Sequence, residues 1–516
     1  MNSKSIYTKN TFIFVASLAI ISAAIIFITS NKPIGDFGNY YYGSKLFAEG
    51  KNLDSLYQDI HWFNSQIKLY GEKDYFENYI PVPPANLLFY APFTFLSSQS
   101  AKLIFNIFCL LILIVSLTRY LKLIPDLKFY YLFALPVILF PLYTNFLQGQ
   151  SYILILALLL EIYINYYKKQ YYLIAVFIAM LFQIKLFPVF ILGYFIFKKE
   201  YKIVLLSCFM ILLFTLLIAI TVGKDLVVNY YSEIVPRLFK NEIVDPFYTG
   251  HQSINILLKK LFCLDELSNP SPIIDLPVAA VILESILVCA IIYIAFYIVK
   301  LKNTILSYSL FIFFGILAGK YITAYSLILL LPFAFSLFSF KRSGVYIVIL
   351  FLICNIPLSY LENFSFPLKY IRILFMLILF CLIVSEIKPK INYKQSGIIF
   401  ILVLSLTMFS SKKYPDNYFV SDNKKGIGYD FTIVKNKILL NKCLGSYNKT
   451  DSLLLNFNVT NLKEIMPKDI YKYSEEVNGK QNIKKAVILN DSLLLYLSDL
   501  QQGAGMNKLR MVKVKH

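Results

Sequence analysis

The chain has 516 residues, 58% of them hydrophobic and only 16% charged. That balance excludes an ordinary soluble protein, and the apolar residues fall in blocks of roughly 17–25, the length that crosses a hydrocarbon core. The net charge of +20 does not argue for nucleic acid: much of the excess lies in short clusters between apolar blocks, as topology signals do, and no nucleic-acid motif is present.

In chain order, the candidate spans are 11–29, 101–118, 129–147, 150–167, 171–184, 187–197, 203–222, 276–299, 304–318, 322–340, 344–359, 368–386 and 396–411. The expected fold is an all-α polytopic membrane protein of about 11–13 spans. Alternating strands of a membrane barrel are absent from residues 1–411. The first block lacks a small-residue cleavage site and is read as a retained helix, not a signal peptide. Pieces 171–184 and 187–197 are each too short to cross alone and meet at "QIKLFP", where Pro188 interrupts helical hydrogen bonding. Such breaks are tolerated inside protein or beside a wet cavity.

An inside N-terminus puts the basic segments Arg119–Lys128, Lys168–Lys169, Lys198–Lys202, Lys300–Lys302, Lys341–Arg342 and Lys388–Lys394 on the cytoplasmic side. Residues 30–100, the "NFLQGQS" turn, the "QIKLFP" corner, 223–275, the turn near Lys320, 360–367 and the tail then face outside. In the first outer loop, "GSKLFAEGKN" and "LDSLYQDIHWFNSQIKLYG" have the spacing of helices lying in the interface. In "YIPVPPANLLFYAPFTFLS", Pro83 and Pro84 can open a further juxtamembrane or re-entrant helix. Residues 412–516 are polar and lysine-rich, with short β-like runs between turn signals, and read as a small β-rich domain outside the membrane, separate from the membrane domain 1–411.

The seven cysteines have no metal spacing, and no metal or cofactor is expected. Cys263 and Cys443 both fall in outside segments, within reach of a disulfide only if the fold joins them. There is no Walker A loop, nucleophile elbow or dinucleotide fingerprint.

Several polar residues stand where chemistry is possible. Asp36, in "GDFGNYYYG", follows the first span. It is either a solvated loop acid or a carboxylate that takes a proton from an acceptor hydroxyl. Tyr40 and Tyr41 follow it, with rings able to wall a sugar. Gln148 and Gln150 flank Gly149 in "LQGQS", as sugar ligands or as a plain polar turn. Lys185 either meets a phosphate or snorkels to the surface. Arg237 pairs with a lipid phosphate or anchors at the interface. His251 and Gln252, in "YTGHQSINILL", form a polar patch that is either a neutral loop or a phosphate or sugar site.

Taken in order, "GDFGNYYYGSKLFAEGKNLDSLY", "YIPVPPANLLFYAPFTFL", "LQGQSYILILALLL", "AMLFQIKLFPVFILGYFIFKKEYK" and "HQSINILLKKLF" resemble glycosyltransferase family 87 over about residues 10–340. These are GT-C-fold membrane enzymes related to the polyprenyl-phosphate-mannose-dependent mannosyltransferases of mycobacterial phosphatidylinositol mannoside synthesis. The resemblance implies that Asp36 is the general base of an inverting transfer. It implies that Lys185 lies at a lysine–proline corner near the donor phosphate, and that His251 contributes to the donor site. Pro83 and Pro84 match a double proline at the start of the second juxtamembrane helix. Two departures, the loosened "YIPVPP" and the tail, leave the acceptor open. The expected function is transfer of a hexose or pentose, mannose favoured, from a polyprenyl-phosphate sugar to a lipid- or glycan-linked acceptor on the outer face of the inner membrane. The competing readings are a GT-C-like polysaccharide polymerase or ligase and a lipid-linked glycan transporter. No internal repeat of the kind transporters carry is visible.

Overall fold

The computed structural model describes residues 3–58, 60–71, 77–124, 128–239, 247, 250–264, 269, 272–357, 364, 366–389, 399, 401, 403–405 and 407–408, together with the C-terminal strands given below. Membrane-type helices dominate the part before residue 409. In chain order they are α1 (Ser3–Thr29), α2 (Phe37–Ala48), α3 (Ile60–Leu69), α4 (Ala85–Tyr90), α5 (Ser98–Leu121), α6 (Ala134–Val137), α7 (Leu139–Gln148), α8 (Tyr152–Tyr167), α9 (Tyr171–Ile184) and α10 (Ile191–Phe197). They continue with α11 (Tyr201–Val222), α12 (Lys224–Asn229), α13 (Val235–Phe239), α14 (Ile254–Phe262), α15 (Pro277–Ile298), α16 (Thr304–Leu317), α17 (Leu331–Leu337), α18 (Ser343–Asn355) and α19 (Ile371–Ile387).

The span count differs from the 11–13 expected. Five described helices are long and apolar enough to cross: Lys9–Thr29, Ser98–Leu121, Tyr201–Val222, Pro277–Ile298 and Leu368–Ile387. The bent pair Tyr130–Val137 and Leu139–Gln148 makes a sixth if counted as one span. The other apolar blocks are realised as shorter helices, among them Tyr152–Tyr167, Tyr171–Ile184, Thr304–Leu317 and Ser343–Asn355. Hydropathy reports that a block is apolar, not that its backbone stays helical throughout. This is a multi-pass membrane protein in which several helices stop short. The expected span at 396–411 falls partly outside the described residues.

Two breaks show how the bundle tolerates interrupted helices. Pro141 has no N–H to give Val137, and the helix bends by 42° between Val137 and Leu139. Asn355 of α18 repairs the gap: its amide donates to the carbonyls of Val137 (2.9 Å) and Pro136 (3.1 Å), and its oxygen accepts from Phe140 N–H (3.0 Å). At the second break, Pro188 leaves the carbonyl of Ile184 without its helical donor, and Asn86 of α4 donates to that carbonyl at 3.1 Å. In a medium without water these side-chain amides satisfy what the proline removed. The second repair also fastens α4 to the corner that carries Lys185.

The first outer loop differs from expectation. α2 does not lie in the interface with one face free. Phe37, Tyr40, Tyr41, Tyr42 and Leu46 are all buried in the core, and Ser44 donates to the Asn86 carbonyl at 3.0 Å. Pro84 stands at the N-cap of α4, which is only one and a half turns long and continues as a 3-10 turn over Ala91–Phe93.

After residue 426 the backbone forms β1 (Ile427–Val434), β2 (Lys437–Leu444), β3 (Asp451–Leu455), β4 (Leu462–Ile465), β5 (Ile483–Leu489), β6 (Leu493–Ser498) and β7 (Lys508–Lys513). They pair antiparallel in two sheets, β1-β2-β3 and β4-β5-β6-β7. Cys263 is a free thiol, while the side chain of Cys443 lies outside the described residues.

Candidate active site

The site begins with two glycine turns pressed together. Gly35 and Gly149 both take φ of +61°, a left-handed conformation that costs other residues a steric penalty. A Cβ on Gly35 would meet Gln148 Oε1 at 2.3 Å, and one on Gly149 would meet Phe37 Cβ at 2.6 Å. The start of α2 and the end of α7 therefore pack so closely that neither glycine leaves room for a side chain. Asp36 N–H donates to Gln148 Oε1 across this contact at 3.2 Å.

Asp36 is the N-cap residue of α2, yet its side chain makes no capping bond. An aspartate there normally accepts from an N–H of the first turn, a contact worth about 1 kcal/mol. Here Oδ2 instead accepts from Gln150 Nε2 at 2.6 Å. The carboxylate keeps the favourable field of the helix N-terminus while remaining turned towards other groups. Gln150 is 4% exposed, whereas Asp36 as a whole residue is half-buried. Burial pushes the Asp36 carboxyl up from its ordinary range. The Gln150 hydrogen bond and the charges of Lys185 and Lys102 act the other way without cancelling it.

Gln150 is the centre of the network. Its Oε1 accepts from Lys185 Nζ at 2.9 Å and from the Tyr40 hydroxyl at 3.1 Å. The Lys185 ammonium also lies 4.3 Å from the centre of the Tyr152 ring and 5.8 Å from that of Tyr325. It does not snorkel: the Pro188 corner, held by Asn86, turns it into the bundle. Tyr40 stacks on Tyr90 with centroids 4.7 Å apart and planes at 9°, which fixes its hydroxyl against Gln150. Acid, amide and cation thus form one row, and Asp36 has no direct ion pair among the described residues.

Two residues absent from the sequence-based list join this neighbourhood. Lys102 is 2% exposed and donates to the Pro33 carbonyl at 2.7 Å, three residues before Asp36. It was visible as an ionisable residue at the edge of the apolar block 101–118, by the same rule that singled out Lys185. Glu77 is 2% exposed and lies against Gly38, where an added Cβ would meet its Oε1 at 2.3 Å. Nothing local in "EKDYFENYIP" distinguishes it; only the docking of its segment on α2 brings it here.

The remaining sequence candidates are elsewhere. Tyr41, one position round the helix from Tyr40, donates its hydroxyl to the Leu96 carbonyl at 2.7 Å and is not beside Asp36. Gln148 is committed to the Asp36 backbone, so it shapes the turn instead of facing a sugar with a free carbonyl. His251 and Gln252 form a second node. The His251 ring lies 5.4 Å from that of Tyr321, Gln252 N–H donates to the Ile322 carbonyl at 3.1 Å, and the Gln252 amide donates to the Lys369 carbonyl at 2.9 Å. The loop from Tyr321 to Tyr325 runs from this node to Lys185. Burial pushes the His251 imidazole down to about 4, so it is neutral near pH 7 and offers a hydrogen bond. Arg237 is on α13.

The model of the family described as "Glycosyltransferase family 87" matches residues 82–318, a stretch holding Gln148, Gln150, Lys185 and His251. No curated protein and no solved structure matches the chain.

Proposed function

We propose, from the premise that this chain is a membrane glycosyltransferase of family 87, that it moves one sugar from a polyprenyl-phosphate donor to a hydroxyl of a lipid- or glycan-linked acceptor. The sugar is a hexose or pentose, mannose first. The single observation that carries this reading is the row Asp36–Gln150–Lys185, with contacts of 2.6 and 2.9 Å. It holds a raised-pKa carboxylate and a cation side by side without letting them neutralise each other directly.

Asp36 takes the proton of the acceptor hydroxyl as that oxygen attacks the anomeric carbon. The bond from the anomeric carbon to the phosphate oxygen breaks on the opposite face, so configuration inverts and polyprenyl phosphate leaves. A carboxyl shifted upward by burial is a better base than an exposed aspartate. Lys185 opposes the charge that grows on the departing phosphate, in a setting where water does not screen it. Gln150 keeps both groups oriented between turnovers, and neutral His251 with Gln252 adds hydrogen bonds at the donor side. Arg237 binds a phosphate at the outer interface. The basic segments favour an inside N-terminus in the inner membrane, with the reaction on the outer face and residues 412–516 as a small periplasmic domain.

The test is turnover by purified full-length protein with a panel of polyprenyl-phosphate sugars, followed by mass spectrometry of released carrier and product. One donor is expected to release polyprenyl phosphate, and Asp36→Asn is expected to stop it. Turnover only with lipid-pyrophosphate oligosaccharides would favour the polymerase or ligase reading. An unchanged rate in Asp36→Asn would remove Asp36 from the base role.

A further inference from the structure

Glu77 is a buried acid without an evident structural purpose. It is 2% exposed, and its Oε1 has no hydrogen-bond partner among the described residues. Its backbone, by contrast, is clamped. Glu77 N–H donates to Asn64 Oδ1 at 2.7 Å, and Asn64 Nδ2 donates back to the Glu77 carbonyl at 2.8 Å. Asn39 of α2 accepts from the N–H of the next residue, Asn78. Gly38 supplies the room: any larger residue there would overlap the Glu77 carboxyl. Two asparagines and a glycine are therefore spent on holding a carboxyl, whose Oε1 has no partner among the described residues, against the first turn of the helix that Asp36 begins. An unpaired buried carboxyl costs free energy, so a structural role alone would favour an apolar side chain or a partnered one.

We propose that Glu77 is a second carboxyl of the active site, which hydrogen-bonds the acceptor beside the hydroxyl that Asp36 deprotonates. This rests on the transfer reaction proposed above and deepens it on the acceptor side. The division of labour follows from the surroundings of the two acids. Asp36 has the Gln150 amide, the Lys185 and Lys102 charges and the N-terminus of α2 to favour its anion. Glu77 has none of these: burial and the neighbouring Asp36 charge both push its carboxyl well above the ordinary range, and no cation among the described residues offsets them. Among the described residues, the groups on its side are Gly38 and Asn39 of α2, Asn64 of α3 and the Asp36 charge, a setting that favours its protonated form. Paired carboxyls in unequal settings divide into one base and one neutral hydrogen-bond donor. During transfer the acceptor proton goes to Asp36, and Glu77 keeps its own, donating it as a hydrogen bond to a neighbouring acceptor oxygen. The acceptor class this fits is a polyol or sugar with two adjacent hydroxyls.

Infrared difference spectra of the full-length protein in nanodiscs, wild type against Glu77→Gln at neutral pH, test the protonation. A carboxylic-acid carbonyl band present in wild type and absent from the variant is expected; loss of carboxylate bands instead overturns the proposal. The acceptor role is read with octyl hexosides and their monodeoxy analogues. Glu77→Leu should raise the acceptor KM about tenfold with the donor KM unchanged, and Glu77→Gln should stay within about threefold of wild type, the size of one buried hydrogen bond. Equal changes in both KM values, or none, would make Glu77 structural. If wild type turns over no lipid-phosphate donor, the transfer reading fails on its own. Calorimetric octyl hexoside binding then decides on Glu77, where equal affinity in wild type and Glu77→Leu sinks the proposal.

Discussion

An acid stands near each end of the paired helices α5 and α8, Glu161 on α8 and Asp36 at the N-cap of α2, and the two are treated differently. Towards the C-terminal end of α5, Glu161 of α8 pairs directly with Arg119 at 3.0 Å, and Asn165 donates to the same carboxylate at 3.3 Å. Towards the N-terminal end, Asp36 has Lys102 and Lys185 nearby, but Lys102 is spent on the Pro33 carbonyl and Gln150 stands between Asp36 and Lys185. A direct pair spends both charges on each other. A pair separated by an amide leaves a carboxylate able to accept a proton and a cation able to meet an anion. The first arrangement fastens two helices; the second is poised for chemistry.

Substitutions test that contrast, and the largest effect is expected at Asp36. Asp36→Asn should lower transfer by about 10²–10⁴-fold, the range of a general base. It should not lower the thermal midpoint. The folded protein binds the Asp36 proton more tightly than the unfolded chain, because burial raises the carboxyl in the native state. The stability linked to this group is thus complete below the unfolded-state pKa and is lost as pH rises through the raised native one. At neutral pH the uncharged variant should melt at or above the wild-type temperature, which differential scanning fluorimetry will read.

Next comes Lys185→Met, with a loss of about 10² in kcat/KM for the donor. Lys102→Met should change the rate far less, since Lys102 supports the turn through a carbonyl; equal losses would break the distinction drawn here. Gln150→Glu should cost about tenfold. It removes the amide donor and adds a carboxylate beside Asp36, so the Asp36 pKa rises further and the acid limb of the pH–rate profile moves to higher pH. Arg119→Met should be smallest, within about twofold in transfer. Arg119 is 41% exposed in its side chain, so the stability cost should stay below about 1 kcal/mol. A large catalytic loss there would make the two acids alike after all.

Several of these features were legible from the residues in order. Asp36, Gln150 and Lys185 each stood out because a polar group beside a long apolar block is costly without a reason. Gly149 stood in a polar turn, and Pro188 marked the broken helix. The choice between Tyr40 and Tyr41 was not legible: both follow Asp36 in a run of three tyrosines, and only the stacking on Tyr90 turns one towards Gln150. The short helices were not legible either. Their breaks are viable because Asn86 and Asn355 reach across from other elements to the exposed carbonyls.

Taken alone, the sequence determined a multi-pass membrane chain with its polar exceptions near a few turns, because crossing hydrocarbon demands long apolar runs and penalises every departure. Tertiary structure alone decided which exceptions meet. Residues 36, 150 and 185 lie more than thirty positions apart, and their contact depends on two left-handed glycine turns closing face to face. The same packing brings Glu77 to Gly38, since burial and charge coupling are properties of neighbours in space that no local pattern encodes.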